Sequence, residues 1–263
     1  MPTRSATEPA RPLALENTRL AHSIDHTKLT FSPGEDETQA ITQLCDEAKT
    51  YGFYAVCLRP QHIVLAKNLL TGSPVKVATV IGFPAEKVQL ADELQQPTVG
   101  HFPTHAKVQE TLQAQTDGVD ELDLVINVAH LKQDVKTGSR QMIAELEAIR
   151  DAAKDLPIKV IIETDLLTPE EIDWATTACA QTGMCMVKTS TGMVVNGQGA
   201  TLTTVQRIAD RLQALQVNTG IKASGGLKTR EQAMAFLALG VQRLGTSSGV
   251  AILQDKTVAP EAY

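Results

Sequence analysis

Residues 158–189 read IKVIIETDLLTPEEIDWATTACAQTGMCMVKT. Two apolar runs, IKVIIET and MCMVKT, flank a segment that carries its own helix start. Thr168, Pro169 and Glu171 make a capping box with proline at the first helical position: the hydroxyl and the carboxylate satisfy N–H groups left free at a helix end, and the ring has no N–H to lose. A strand, a helix and a second strand in this order are read as parallel strands joined by a crossover.

The same unit recurs in both directions along the chain. LAHSID, YAVCL, VKVATVIG, ELDLVIN, IKVIIET, MCMVKT, GIKAS and VQRLGTS are eight strand candidates. Between them Leu202, Val205, Ile208, Leu212 and Leu215 recur at the helical period, and Met142, Leu146 and Ile149 repeat the pattern. Thr229 with Gln232 offers a further cap, and Gly52 and Gly240 suit helix ends. Eight such units in 263 residues fit a single closed (β/α)8 barrel of the TIM type. The alternative, an open doubly wound sheet, would usually carry GxGxxG after its first strand, where this chain has IDHTKLTFSPG.

The expected organisation is a flexible N-terminal extension over residues 1–19, one barrel domain over 20–255 and a tail over 256–263. One connection is out of proportion. After the third strand, residues 85–104 run AEKVQLADELQQPTVGHFPT, which reads as a lid or an inserted hairpin.

Composition excludes several classes. The formal net charge is −6 and no run of Lys or Arg alternates with aromatics, so nucleic acid is a poor partner. No stretch approaches ~18 consecutive apolar residues and the start lacks the apolar block of a signal peptide, so no membrane association and a cytoplasmic location are expected. Cys45, Cys57, Cys179 and Cys185 contain no CxxC pair and read as reduced core thiols. His22 with His26 and His101 with His105 lack the helical spacing of a metal site, so no catalytic metal is expected.

In such a barrel the chemistry lies at the C-terminal ends of the strands, so the position of a charge within its strand carries information. Lys76 and Lys159 precede their apolar runs and read as structural groups at the opposite face. Lys188 and Lys222 reach the catalytic rim, and the two-residue alternation of ELDLVIN turns Asp123 inward with Glu121, Val125 and Asn127. A carboxylate inside a packed barrel costs several kcal/mol unless cations compensate it, which Lys188 and Lys222 can do. An ion pair that only fixes barrel register is one reading. The other is chemical: one carboxylate between two ammonium groups leaves excess positive charge, which favours loss of a proton and a nucleophilic amine. SGGLKT and GTSSG, after the last two strands, stand where barrels of this class hold anions; Gly225 and Gly226 permit close backbone approach, while Ser247 and Ser248 add hydroxyls at the start of the last short helix.

Taken in order, IDHTKL, VIGFP, DELDLVIN, KVIIET, VKTSTG, KASGG and GTSSG resemble the 2-deoxyribose-5-phosphate aldolase family over residues 22–249. The resemblance implies reversible cleavage of 2-deoxy-D-ribose 5-phosphate to D-glyceraldehyde 3-phosphate and acetaldehyde through a lysine Schiff base, in deoxyribonucleoside catabolism. It implies no cofactor and no metal, sugar-phosphate and aldehyde substrates as partners, and a homo-oligomer, with a dimer favoured. By motif it makes Lys188 the Schiff-base residue and Asp123 and Lys222 the groups that move protons. Asp25, Thr27, Leu29 and Cys57 would line the pocket, Cys57 being equally readable as a structural thiol. Phosphate contacts fall on Gly192, Gly225, Gly226, Gly245, Ser247 and Ser248. Some members end in a tyrosine that assists proton transfer, and this chain ends in Tyr263, which a plain terminus explains as well. The departures are the extension before Leu20, Lys28 where an uncharged residue is usual, and residues 85–104. Two other functions stay open: an isomerase or a different sugar-phosphate aldolase working through Asp123, and a non-catalytic sugar-phosphate sensor.

Overall fold

The computed structural model describes residues 13–133 and 135–256. Its elements are, in order, α1 (Leu13–Ala21), β1 (Ile24–Lys28), α2 (Glu37–Tyr51), β2 (Ala55–Leu58), α3 (Ile63–Leu69), β3 (Lys76–Ile81), β4 (Val88–Gln89), α4 (Leu90–Gln95), α5 (Thr104–Thr116), β5 (Glu121–Val125), α6 (Val128–Gln133), α7 (Val135–Ala153), β6 (Ile158–Ile161), α8 (Pro169–Gln181), β7 (Met186–Lys188), β8 (Val194–Val195), α9 (Leu202–Leu215), β9 (Gly220–Ser224), α10 (Arg230–Ala238), β10 (Arg243–Thr246) and α11 (Gly249–Leu253). Eight of the strands form a closed parallel barrel in the order β1-β10-β9-β7-β6-β5-β3-β2, so the main sheet has no edge.

Local chemistry sets the helix ends. At α8 the Thr168 hydroxyl accepts the Glu171 N–H while the Glu171 carboxylate accepts the Thr168 N–H, with Pro169 at the first position. Thr229 and Gln232 cap α10 in the same way, and Gly52 closes α2 in the left-handed conformation. On α9, Val205, Ile208 and Leu212 are buried, whereas Leu202, in the first turn, is exposed. On α7, Met142, Leu146 and Ile149 pack inward.

Three local expectations change. LAHSID is not one strand: Leu20 and Ala21 finish α1, and β1 starts at Ile24. Residues 13–19, read as part of a flexible extension, are helical, because Leu20 and Ala21 bury their side chains and Arg230 pairs with Glu16 at 2.7 Å. Residues 85–104 form no hairpin. They supply β4 and α4, and β4 runs parallel to β8, with Val88 opposite Val194 and Gln89 opposite Val195. The segment is held at its far end as well, where the buried Glu93 carboxylate accepts the N–H groups of Thr98 at 2.7 Å and Val99 at 2.9 Å.

The apolar core lies between the barrel and its helices, in side chains such as Ile41, Leu58, Ile63, Leu122 and Ile208. The barrel interior is different. Asp25, Asp123, Lys159 and Lys222 have no exposure there, and their neighbours Glu121, Lys188 and Arg243 are nearly as buried.

Candidate active site

The strand period brings these groups together. Asp123 is the third residue of β5, and its register partner on β6 is Lys159. Lys188 closes β7 opposite Lys222 of β9, which in turn lies opposite Arg243 of β10. Asp123 Oδ2 accepts Lys188 Nζ and Lys222 Nζ, each at 2.7 Å, and its Oδ1 accepts Lys159 Nζ at 2.9 Å. Lys222 also donates to Asp25, whose other oxygen accepts Arg243 at 2.6 Å. Glu121 completes the cluster, 2.6 Å from Lys159 and 3.3 Å from Arg243. Arg243 in turn stacks 3.4 Å from the Tyr54 ring.

The three lysines therefore share three carboxylates, not one. Burial by itself would raise the Asp123 pKa, but attraction from Lys159, Lys188 and Lys222 outweighs it and holds the carboxyl well below its usual range. Asp25 is lowered on the same balance, burial being overcome by Lys222, Lys159 and Arg243. Burial acts the other way on the lysines; Asp123 and Asp25 overcome it, so Lys159 and Lys222 are held above the ordinary lysine value, as ammonium groups.

Lys159 thus corrects the sequence reading. It is not a snorkelling residue at the far face but a fully buried member of the cluster, because Ile158 already belongs to β6 and alternation turns Lys159 inward. Lys76 does lie at the exposed start of its strand.

A cavity of about 650 Å3 opens over the cluster, and Thr27, Leu29, Lys188, Gly192, Gly225, Gly245 and Ser247 all line it. Asp123 and Lys222 lie beneath its floor, Asp123 in contact with Lys188 and Lys222 bonded to the same Asp123 oxygen. Asp25 and Cys57 do not line it: both are fully buried, Asp25 against Lys222 and Arg243, Cys57 with its sulfur 3.8 Å from Asp123. Burial pushes the Cys57 thiol up to about 11, which keeps it protonated. Gly226 and Ser248 stand behind the wall, and the Ser248 N–H is already donated to Thr246 Oγ1 at 2.9 Å. At Gly245 a Cβ would lie 3.1 Å from Lys222 Cε and 3.0 Å from Ser224 Cβ, so glycine there gives the Lys222 stem its path through the barrel. Tyr263 lies outside the described residues.

The sequence reading missed Glu163 and Thr191. Glu163 is buried immediately beyond β6, and its carboxylate accepts the Thr191 N–H and hydroxyl in the turn after Lys188. Glu163 lies beyond Ile161, the last residue of β6, so the alternation of the strand carries no signal for it. Among the described residues no group of three or more His, Cys, Asp or Glu side chains is arranged to hold a metal ion, and no helix is long and apolar enough to cross a membrane.

Comparison with known proteins agrees with the barrel fold. The deoxyribose-phosphate aldolase of Thermococcus gammatolerans is 40% identical over 238 residues, covering 89% of this chain and 95% of that protein. A crystal structure from Coccidioides immitis superposes with a TM-score of 0.79 at 36% identity, covering 94% of this chain and 87% of that one. The deoxyribose phosphate aldolase of Aeropyrum pernix, described as a tetramer, superposes with a TM-score of 0.72 at 28% identity, covering 94% and 97%. The family model of the DeoC/LacD aldolases matches residues 19–255. The chain is an enzyme of the DeoC/LacD aldolase family.

Proposed function

We propose that the chain cleaves 2-deoxy-D-ribose 5-phosphate reversibly to D-glyceraldehyde 3-phosphate and acetaldehyde, through a Schiff base on Lys188. One observation carries this reading: of the three lysines that converge on Asp123, Lys188 alone lines the cavity, so it is the amine a carbonyl compound can reach. The names of the similar proteins supply the substrate class.

In the cleavage direction Lys188 Nζ adds to C1 of the open-chain sugar, and the carbinolamine loses water to give an iminium. That cation draws the electrons of the C2–C3 bond as the C3 hydroxyl gives up its proton. Glyceraldehyde 3-phosphate leaves, and the remaining enamine takes a proton at C2 before water releases acetaldehyde. Asp123 is the group in contact with Lys188 that relays these protons, and Lys222, on the same oxygen, holds the carboxylate in place and shares the transfer. The phosphate lies against Gly192, Gly225, Gly245 and Ser247 at the cavity wall. An isomerase working through Asp123 would need the carboxylate itself to face the cavity, whereas it lies under Lys188.

Treatment with acetaldehyde and borohydride is expected to leave a reduced adduct on Lys188, found by peptide mass spectrometry, and Lys188→Ala is expected to abolish both adduct and cleavage. Full cleavage by Lys188→Ala would overturn the covalent mechanism. Binding of the sugar phosphate with no adduct and no product would instead favour a sensor.

A further inference from the structure

Glu163 has no role in the steps above, yet it occupies a costly position. Its side chain is fully buried and its backbone is left-handed at φ 55°, a conformation that residues other than glycine, asparagine and aspartate seldom adopt. The turn it begins holds the cavity from two sides. Both Glu163 oxygens lie 3.2 Å from the Thr191 N–H, and Oε2 is 2.5 Å from Thr191 Oγ1. Thr191 Oγ1 also accepts the Met193 N–H at 3.0 Å, so the clamp spans Gly192. Two residues on, Asp165 accepts the N–H groups of Gln198 and Gly199, each at 2.8 Å. Gly199 backs directly onto Gly225, where a Cβ would come within 2.5 Å of the Gly225 carbonyl group, and the Ala200 N–H donates to Gly225 O at 3.2 Å. The 163–165 turn therefore buttresses both Gly192 and Gly225, which line the cavity.

The Thr191 hydroxyl has one hydrogen. With Glu163 ionised, that hydrogen is donated to Oε2 and the hydroxyl offers nothing to the cavity that Thr191 lines. With Glu163 protonated, the carboxyl O–H donates to Thr191 Oγ1 across the same contact, and the hydroxyl hydrogen is free to turn outward. We propose that Glu163 is a positioning residue whose protonation turns the Thr191 hydroxyl towards the cavity and admits an anionic phosphate ester there. Loss of the carboxylate charge acts in the same direction, by removing a repulsion. Burial raises Glu163 from the ordinary 4.5 to about 7, against the Thr191 hydrogen bonds. The charged groups that face it are Asp165, from its own turn, which raises it further, and Lys188, from β7, which lowers it. Seating an anion thus takes up a proton near neutrality.

The inference rests on the aldolase reading for the identity of the anion, so its test does not depend on turnover. Sulfate, which exchanges no proton at these pH values, is titrated calorimetrically into the full chain, in buffers of different ionisation enthalpy. For the unmodified protein, sulfate affinity is expected to fall roughly tenfold between about pH 6 and 8, with net proton uptake near 7. Glu163→Gln, whose amide donates to Thr191 Oγ1 at every pH, is expected to bind sulfate without proton uptake and with a flat profile. Thr191→Val, which leaves Glu163 in place, is expected to bind weakly throughout. Proton uptake that persists in Glu163→Gln, a flat profile in the unmodified protein, or no sulfate binding by either would overturn the proposal. Adduct formation on Lys188 with acetaldehyde, which carries no phosphate, decides the aldolase reading separately.

Discussion

At the scale of single residues, the barrel interior works by unequal access. Lys159 and Lys222 are saturated by carboxylates and closed to solvent, while Lys188 shares the same Asp123 and still meets the cavity. Asp123→Asn keeps the size of the side chain and removes its basicity. We expect kcat for cleavage to fall by about 100-fold or more, with KM for the sugar phosphate within about threefold, because the phosphate contacts lie on other loops. Steady-state kinetics decides this, and equal losses in binding and turnover would contradict it. Lys188, Asp123 and Lys222 were legible because each sits at a diagnostic place in a regular strand. Lys159 was not, since β6 has only four residues and a shift of one decides whether the lysine precedes the strand or belongs to it. Arg243 had the same ambiguity at the first position of β10. Glu163 lies beyond its strand in a left-handed turn, where alternation has no authority.

Among the elements, the helices were easier to read than the short strands. Caps at Thr168 and Thr229 are local chemistry, visible as residue types three apart, and the structure realises both. β4 and β8 have two residues each, too few for any period, and their partner lies about a hundred positions away, so nothing local announces the pairing. That pairing ties the insertion, residues 85–104, to the turn after Lys188, where the Val88 N–H donates to Met193 O at 3.1 Å. Its other end is fixed at Gly100, with φ 69°, where a Cβ would sit only 1.8 Å from Ile126 O at the end of β5. Gly100→Ala must displace the insertion from the barrel rim. We expect a loss of about 2 kcal/mol or more in denaturant unfolding. An unchanged midpoint would mean that the segment yields freely and is not fixed there.

For the whole molecule, the closed barrel places ionised carboxylates and a raised one within one folding unit, and their pH windows oppose each other. Asp123 and Asp25 are held below the usual 3.8, so the stability they contribute is complete above that value and is lost as pH falls towards their folded values. Glu163 behaves in the opposite sense: with its pKa raised from 4.5 to about 7, the stability it contributes is complete below 4.5 and is lost as pH rises from there to about 7. Neither window overlaps the other, which leaves the fold most stable between them. The thermal midpoint is expected to peak at about pH 4 to 4.5, to fall steeply below about pH 3.5, and to decline between about pH 4.5 and 7 before levelling off. Glu163→Gln should erase only the decline between about pH 4.5 and 7, since the acid limb belongs to the buried aspartates. Scanning calorimetry of both proteins across this range tests the assignment: a midpoint that climbs from pH 5 to 8 in the unmodified chain, or a Glu163→Gln variant that keeps the decline, would place the ionisation on another group.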